Sequence, residues 1–347
     1  MKNKYDYTGK KVYVGIDVHK KNYSVVCFCE GEIVKHWSTE AKPLLLAEQL
    51  KKYFAGAYIK SAYEAGFAGF VLHRKLTEAG INNIVVNAAS IEISSRDRVK
   101  TDKRDAIKIA QQLSSGRLEA IRIPSEEEEL ARLLSRGRSR LINERVKIGH
   151  KIKSKLYQFG LIECDDERSM SLKWINELKE NNFTYELKTI ILSWVNVWLE
   201  INRQVEELDK RLEKQAEQQK SMEDMYRSVA GVGAVTSRIL ANELGNMQHF
   251  SSEKKLYSYT GLTPQEHSSG ETRRLGHITR CGRSLIRKTL VEMAWRAIKI
   301  DRSLKEVFER ISKKAGKKKA IIAIARKMTG KMRACFASGE LYKIQAI

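Results

Sequence analysis

Residues 12–17 read Val-Tyr-Val-Gly-Ile-Asp, an apolar run that ends on a carboxylate. Its β-branched and aromatic residues predict a buried strand, with Asp17 at the end. Two further strands are expected at 23–29 and 32–37, joined by short turns such as Glu30-Gly31-Glu32. The stretch therefore predicts a sheet that begins as an antiparallel meander, with Asp17 on its first strand.

The elements that follow predict the rest of an α/β domain. We expect helices and strands in this order: helix 43–54, strand 58–63, helix 68–79, strand 83–87, helix 88–95 and helix 103–116. A β-β-β-α-β-α-β-α order is that of a ribonuclease H-like fold. In this order the first strand lies centrally, and Glu64 ends a neighbouring strand.

Four carboxylates belong to this region: Asp17, Glu64, Asp102 and Asp105. A spacing of three places Asp102 and Asp105 on one face of a helix. Taken singly, Asp102 could be a helix N-cap and Asp105 could favour the helix dipole. Taken together, the four predict a divalent metal site, because Mg²⁺ takes hard oxygen ligands and paired ions support phosphoryl transfer. Mg²⁺ is expected over Mn²⁺ from its hard ligands and availability.

The charge of the chain points to a phosphate-rich partner. The 347 residues include 64 Lys and Arg against 42 Asp and Glu, a net charge of +22, and residues 271–347 alone hold 21 of the basic and 6 of the acidic residues. The densest basic run contains Lys313, Lys314, Lys317, Lys318 and Lys319. We expect this run to follow a nucleic-acid backbone, although a merely solvated basic surface is the alternative.

Cysteine usage and hydropathy indicate the cellular compartment and argue against a membrane span. The five cysteines show no paired spacing, which argues against a zinc site and, with no leader sequence apparent after Met1, favours a reducing cytoplasm beside the nucleoid. No run of 18 apolar residues occurs, so no membrane partner is expected.

Residues 125–220 have a helical pattern. Glu126–Glu129 opens one helix, with acidic residues at the end that the dipole prefers. A second helix carries apolar residues in a 4-3 spacing: Leu187, Ile191, Trp194, Trp198, Ile201, Val205, Leu208 and Leu212. This heptad pattern fits a coiled coil between chains, an intramolecular helical hairpin, or a hairpin that also dimerises. An even assembly, a dimer or a tetramer, is favoured.

Residues 221–347 hold two further candidate nucleic-acid contacts. Gly231 and Gly233 precede a helix, and a glycine turn of this kind presents backbone N–H groups to a phosphate. Further on, serines lie beside Arg273, Arg274 and Arg280, with His277 a weaker candidate. A hydroxyl among arginines suits attack on a phosphodiester, although Ser-Ser-Gly is more often only a loop. His19 and Lys20, just beyond Asp17, are equally consistent with phosphate contact and with no role.

Four motifs occur along the chain in the same order as in one known protein family. They are Val14-Gly15-Ile16-Asp17-Val18-His19-Lys20, Tyr63-Glu64-Ala65-Gly66, Thr101-Asp102-Lys103-Arg104-Asp105-Ala106, and Gly261-Leu262-Thr263-Pro264 continuing to Ser269-Gly270. The chain resembles the DEDD transposases of bacterial insertion sequences over roughly residues 12–340. These are relatives of the Piv-type DNA invertases and include bridge-RNA-guided recombinases.

The resemblance implies three domains. Residues 1–124 would form a RuvC-like, ribonuclease H-like domain. Residues 125–220 would form the coiled-coil assembly region, and residues 221–347 a basic, mostly helical transposase domain. The fold class is thus α/β plus all-α.

The resemblance also implies the chemistry. By motif position Asp17, Glu64, Asp102 and Asp105 are the metal ligands and catalytic carboxylates. Ser269 is the serine that attacks DNA and forms a phosphoserine link, with the adjacent Ser268 as the alternative. A structured guide RNA would pair with donor and target DNA while the protein reads backbone and shape.

Two other functions remain open at this stage. A metal-dependent endonuclease or junction resolvase would use water and leave no protein–DNA bond. A non-enzymatic nucleic-acid-binding protein would bind without forming product. ATPases that share the strand order are disfavoured, because residues 17–20 lack the Gly and Ser or Thr that cradle ATP phosphates.

Overall fold

The computed structural model describes residues 5–92, 101–163, 168–181, 183–266 and 274–345. The chain divides into two compact units, Met1–Ile123 and Pro124–Ile347. Within the described ranges, no helix has both the length and the apolar character needed to cross a bilayer.

The first unit is built on a five-stranded mixed sheet. Its strands are β1 (Lys11–Val18), β2 (Asn22–Cys29), β3 (Glu32–Glu40), β4 (Tyr58–Glu64) and β5 (Asn82–Val86). The strand order is β3-β2-β1-β4-β5; β1 pairs antiparallel with β2 and parallel with β4. The predicted meander, the central place of β1 and the position of Glu64 on the neighbouring strand are all confirmed.

In the described part of the first unit, three α-helices accompany the sheet: α1 (Pro43–Tyr53), α2 (Val71–Glu78) and α3 (Asp102–Ser114). The helix predicted at 88–95 is wrong in its described part, which is only a 3-10 turn over Ala88–Ser90. The side chain of Asn87 accepts a hydrogen bond from the Ala89 amide, and Ile91 has an extended backbone, so the turn ends there. Residues 93–95 lie outside the described residues.

The sheet is covered on both faces. Alternate residues of β1, namely Val12, Val14 and Ile16, are fully buried in a cluster with residues of α1 and α2. On the other face α3 packs against the sheet through small side chains such as Ala106 and Ala110. A Cβ atom on Gly15 would lie 2.0 Å from the Ala106 carbonyl oxygen, so glycine permits this close approach. This contact positions the start of α3.

The second unit is mostly helical. Its elements are α4 (Glu126–Gln158), α5 (Leu172–Lys179), α6 (Tyr185–Gln218), α7 (Lys220–Arg227), α8 (Ala234–Leu244), α9 (Glu253–Thr260), β6 (Pro264–Glu266), β7 (Leu275–Ile278), α10 (Ser284–Ala297), α11 (Arg302–Ala315) and α12 (Lys317–Ser338). Strands β6 and β7 form an antiparallel hairpin. Helices α10 and α12 supply much of the core, with Leu290, Met293, Ile324 and Met328 fully buried.

Helices α4 and α6 form an antiparallel intramolecular hairpin, one of the arrangements that the heptads left open. Arg138 of α4 forms an ion pair with Asp209 of α6, and Gly149 lies beside the Trp198 indole. One heptad line of α6 is buried: Ile191, Trp198, Val205 and Leu212. In the other line Leu187 is buried, and Trp194, Ile201 and Leu208 are only partly buried. Pairing of this helix between chains stays a prediction.

Buried polar contacts join α4 and α6 to α8. The Asn242 side-chain amide donates to the Ala131 carbonyl (2.9 Å), the Ser135 hydroxyl (3.0 Å) and the Gln215 side chain (3.1 Å). Residues from both sides of position 220 therefore belong to one compact unit. The functional division predicted at residue 220 stays a prediction.

Candidate metal site and nucleic-acid surfaces

Two carboxylates lie at the same end of adjacent parallel strands. Ile16 of β1 pairs with Tyr63 of β4, so Asp17 and Glu64 each follow a paired position. Side chains at the carboxyl ends of parallel strands share one edge of a sheet, where α/β folds place their ligands. This edge is where the sequence predicted the metal site.

A histidine joins Asp17 to the start of α3. The His19 Nε2 atom lies 3.1 Å from an Asp17 carboxylate oxygen and 3.1 Å from an Asp102 carboxylate oxygen. Each of these three residues offers one possible ligand atom, and the three atoms lie within 4.8 Å of one another. They are therefore close enough to bind a single metal ion. Asp17 is mostly covered, whereas the Asp102 side chain is 58% exposed, so one side of the group is open to a ligand.

The electrostatics of the group favour a cation. Burial raises the pKa of Asp17, the nearby His19 opposes that increase, and the carboxylates of Asp102 and Asp105 add to it. A divalent ion would relieve this repulsion. The donor set of two carboxylates and one imidazole suits such an ion, with the nitrogen ligand better matched to Mn²⁺ than to Mg²⁺.

Thr101, and not Asp102, caps α3. Its hydroxyl accepts a hydrogen bond from the Arg104 amide at 3.3 Å, which makes Asp102 the first helical residue. The interpretation of Asp102 as an N-cap is therefore wrong, since the preceding threonine already fills that role. The Asp102 carboxylate remains available to face His19.

The other two predicted ligands stand apart from the close group. The Asp105 carboxylate accepts from the Lys108 ammonium at 3.3 Å, on the same helix face. The Glu64 side chain is exposed at the end of β4. Among the described residues, the group of three includes neither of them, so their roles as metal ligands stay predictions.

The described residues nearest along the chain to the predicted nucleophile are those of strands β6 and β7. Ser268, Ser269 and Arg273 lie outside the described residues. The Thr279 amide donates to the Thr263 carbonyl at 2.8 Å, which closes the base of the β6–β7 hairpin. A Cβ on Gly261, whose φ is +66°, would lie 2.1 Å from the Cys281 carbonyl oxygen. Glycine thus permits close backbone approach between the residues before β6 and those after β7.

Three predicted contacts near this hairpin are described. Arg274, His277 and Arg280 are exposed. Arg280 has a φ of +55°, which is uncommon for a residue other than glycine and is found at functional positions. His277 and Arg280 line a cavity of about 1140 Å³ together with Lys317, Lys318 and Lys319.

The basic run divides between two helices. Lys313 and Lys314 lie in the last turn of α11, where cations favour the helix dipole. Lys317, Lys318 and Lys319 form the first turn of α12, where the dipole opposes them. All five side chains are exposed.

The two predicted phosphate-contact glycines differ in structure. Gly231 has a φ of +77°, and a Cβ there would lie 2.7 Å from the Met293 carbonyl oxygen, so it permits close packing against α10. Gly233 is exposed and is the N-cap of α8, with no side-chain cap among the described residues. The first amides of α8 are the ones suited to a phosphate.

A second concave surface lies beside α8. This basic cleft, of about 730 Å³, is lined by residues of α4, α8 and α10, including the cations Arg136, Arg138, Arg140, Arg283, Lys288 and Arg296. Burial lowers the pKa of Arg283, and the nearby Arg136 adds to that decrease. Arg136 and Arg138 already pair with Glu243 and Asp209, so the exposed Arg140 and Arg283 are the cations suited to an anion such as a phosphate.

Comparisons with known proteins place both units in one family. Residues 224–309 match the family described as transposase IS116/IS110/IS902, and residues 14–160 match the DEDD-type IS110 transposase domain. The first match contains the β6–β7 hairpin, and the second contains Asp17, His19 and Asp102. The chain belongs to the IS116/IS110/IS902 transposase family.

Individual members of the transposase family show the same similarity. The chain is 28% identical over 299 residues to y4qE of Sinorhizobium fredii, which is named as a transposase; the alignment covers 82% of this chain and 72% of that protein. It is 29% identical to the transposase for insertion sequence element IS1533 of Leptospira borgpetersenii, over 72% of this chain and 75% of that protein. It is 26% identical to the transposase for insertion sequence element IS1111A of Coxiella burnetii, over 69% of this chain and 63% of that protein.

As a transposase of the insertion-sequence type, the protein cleaves and transfers DNA strands, and DNA is its partner. Sequence reasoning missed two features of this transposase. His19 gave too weak a signal by itself, although its place two residues beyond Asp17 after a strand could have suggested a shared site. Arg136, Arg138 and Arg140 of the basic cleft were hidden in a helical pattern, although arginines so closely spaced are a signal of phosphate binding.

Proposed function

We propose that this transposase cleaves and rejoins DNA strands through a covalent phosphoserine intermediate, assisted by a divalent metal ion in a RuvC-like, ribonuclease H-like first unit. The observation that carries the metal part of the proposal is the group of Asp17, His19 and Asp102 at the end of β1. Membership of a DEDD-type family supports the same reading.

In this proposal Asp17, Glu64, Asp102 and Asp105 are the carboxylates that bind the ion, Mg²⁺ or Mn²⁺, and the His19 Nε2 atom, which lies between Asp17 and Asp102, would be a further ligand. A bound divalent ion supplies charge stabilisation at a phosphate oxygen. The role of α3 is to hold its two carboxylates over the sheet edge, and Gly15 permits that approach.

Ser269 is the proposed nucleophile. Its Oγ atom forms a bond to phosphorus while the bond from phosphorus to a deoxyribose oxygen breaks; Oγ loses its proton and the departing oxygen becomes a hydroxyl. A hydroxyl of a second strand then attacks the phosphoserine and releases the serine. Arg273, Arg274 and Arg280, with His277, would hold phosphates near this step.

Partners beyond DNA are part of the proposal. A structured guide RNA would select donor and target sites by base pairing. The partly buried heptad line Trp194, Ile201 and Leu208 would join protomers into a dimer or tetramer. A DNA substrate is consistent with a cytoplasmic location beside the nucleoid.

A second candidate is a metal-dependent nuclease in which water attacks the phosphodiester. The observation that favours it is the group of Asp17, His19 and Asp102, because a divalent ion held by such a group can activate a water molecule as the nucleophile. The two candidates differ in whether the protein becomes covalently attached to DNA.

Substituting the serine separates the two functions. We expect Ser269→Ala to abolish both the covalent protein–DNA adduct and strand exchange, because no other atom in the proposal takes the place of Oγ. The measurements are a denaturing gel with end-labelled DNA and a recombination assay, with Ser268→Ala as the matched control. Normal product formation by both Ser269→Ala and Ser268→Ala would exclude the serine mechanism and favour hydrolysis, whereas loss of product in Ser268→Ala alone would assign the attack to Ser268.

A further inference from the structure

The cavity of about 1140 Å³ beside the β6–β7 hairpin has an apolar floor. The apolar residues that line it include Leu262, Pro264, Ile278, Ile311, Ile322 and Ala323. They come from the connection between α9 and β6, from the β6–β7 hairpin, and from α11 and α12, so several elements form the floor. An apolar surface of this size suits the flat faces of an organic ligand.

The same cavity has a cationic rim: Arg280, Lys317, Lys318, Lys319, Arg326 and Lys327. Among the described residues that line the cavity there is no carboxylate. Lys317, Lys318 and Lys319 lie at the N-terminus of α12, where the helix dipole repels positive charge. An anion at the rim would relieve this repulsion, so the cavity is suited to a ligand that joins an apolar ring to a negative charge.

An aromatic side chain is held in place at the cavity wall. The Arg326 guanidinium lies 4.5 Å from the centre of the Tyr257 ring. The Tyr257 hydroxyl donates to a Glu253 carboxylate oxygen at 2.9 Å, which fixes the orientation of the ring. Aromatic and guanidinium planes of this kind are the platforms on which bases of single-stranded nucleic acids stack.

We propose that this cavity binds an unpaired nucleotide of the DNA substrate, with the base on the apolar floor and the phosphate at the lysine rim. The inference rests on the proposed function and deepens it, because strand exchange separates base pairs and exposes bases to water. A duplex stacks its bases internally and offers only phosphates to the surface. An apolar floor therefore gives affinity for an unpaired strand and none for a duplex.

A variant that fills the cavity without changing its charge tests the proposal. Ala323→Phe places a ring on the floor, and Ala334→Phe is the matched control at an exposed position of the same helix. The full chain is titrated, in excess chelator, with a single strand carrying one 2-aminopurine and with the blunt duplex of the same sequence. We expect Ala323→Phe to weaken single-strand binding about tenfold, because its ring occupies the place of the base and loss of one stacked base has an effect of this size. Duplex binding should weaken less than twofold.

Other outcomes decide against the proposal. Equal loss for both probes, or no loss for the single strand, would overturn it. Tighter binding of the matching single-stranded RNA, with the same sensitivity to Ala323→Phe, would assign the cavity to RNA and overturn the DNA assignment. Because Ala323→Phe could disturb folding, Arg326→Ala provides a second test: it should lower the preference for the single strand over the duplex, and an unchanged preference would count against the proposal.

The test is independent of the proposed chemistry. No cleavage occurs in chelator, so 2-aminopurine fluorescence reports binding alone. Ser269→Ala should retain the single-strand preference of the parent protein. A failure of the serine mechanism and a failure of the cavity proposal therefore give different results.

Discussion

Three side chains at the end of β1 form a group in which an imidazole separates two carboxylates. His19 occupies a position between Asp17 and Asp102, with 3.1 Å to each. Its contacts oppose the effect of burial on the pKa of Asp17. The group is held by local structure as well, because the His19 amide donates to the Asn22 carbonyl at 3.0 Å in the turn between β1 and β2.

Removing one charge from this group should weaken metal binding without unfolding the protein. We expect Asp102→Asn to lower Mn²⁺ and Mg²⁺ affinity at least tenfold, because the amide loses a charged oxygen ligand. The Asp102 side chain is 58% exposed, so the substitution leaves no buried group unpaired. Isothermal titration calorimetry gives the affinity, and Glu78→Gln, at an exposed carboxylate of α2, is the control. Unchanged affinity in Asp102→Asn would remove this residue from the metal site.

A single glycine determines how closely α3 approaches the sheet. We expect Gly15→Ala to destabilise the first unit by about 1–3 kcal/mol, the usual cost of overpacking. The added Cβ would meet two backbone atoms, the Ala106 carbonyl oxygen at 2.0 Å and the Ala110 nitrogen at 2.6 Å, and neither can rotate away. Urea denaturation measures the change. Gly66→Ala is the matched control, since its nearest atom would be 3.9 Å away; equal loss in both variants would contradict the packing argument.

At the scale of elements, α4 is joined to α8 by a buried ion pair. Arg136 donates two hydrogen bonds to the Glu243 carboxylate, at 2.6 Å and 2.7 Å, and the Glu243 side chain is fully buried. Arg238, also buried, donates to the Gln215 carbonyl at 3.2 Å and to the Gln219 side chain at 2.9 Å. Polar contacts of this kind require their partners, so they define how these helices pack.

Breaking the pair at Glu243 should cost far more than breaking a surface pair. We expect Glu243→Ala to destabilise the protein by about 3–5 kcal/mol, because Arg136 is left partly buried and without its carboxylate. Glu207→Ala is the control: Glu207 contacts Arg211 at 3.0 Å on the exposed face of α6, where a pair contributes less than about 1 kcal/mol. Thermal denaturation compares the two, and similar effects would contradict the importance assigned to burial.

The heptad spacing in α6 predicts a helix but not the helix it packs against. The 4-3 spacing predicted a long helix with an apolar stripe, and α6 over Tyr185–Gln218 confirms it. The pattern could not choose the partner, because any helix that offers a matching stripe buries the same residues. In the structure one heptad line of α6 packs against α4 of the same chain, and the other line is partly exposed.

At the scale of the whole molecule, the excess of positive charge is the property that governs association with DNA. The net charge is +22 and the isoelectric point is about 9.7. Cations gather on concave surfaces of the second unit, the basic cleft and the rim of the cavity beside the β6–β7 hairpin. Binding to phosphates releases condensed counterions, so affinity depends on salt.

We expect duplex binding to weaken steeply between 50 and 200 mM salt, by about three to five orders of magnitude for roughly six to ten phosphate contacts. Arg140→Ala and Arg283→Ala, which alter the basic cleft, should each reduce the slope of log affinity against log salt by about one. Lys52→Ala, at an exposed position of the first unit, is the control. Fluorescence anisotropy over a salt series measures the slope, and equal slopes in all variants would show that the cleft makes no phosphate contact.

Much of this protein was determined by its sequence. Periodicity and turn residues predicted the five strands and the antiparallel pairing of the first three, because these signals are local and the alternation of side chains is set by the backbone. The central place of β1 was predicted from the order of the elements, which is that of a ribonuclease H-like fold. Motif order predicted the transposase family. The tertiary structure decided the rest: His19 as the bridge between Asp17 and Asp102, α4 as the partner of α6, and the basic cleft formed by arginines of α4 and α10. These features depend on residues distant along the chain, and only packing sets which of them meet.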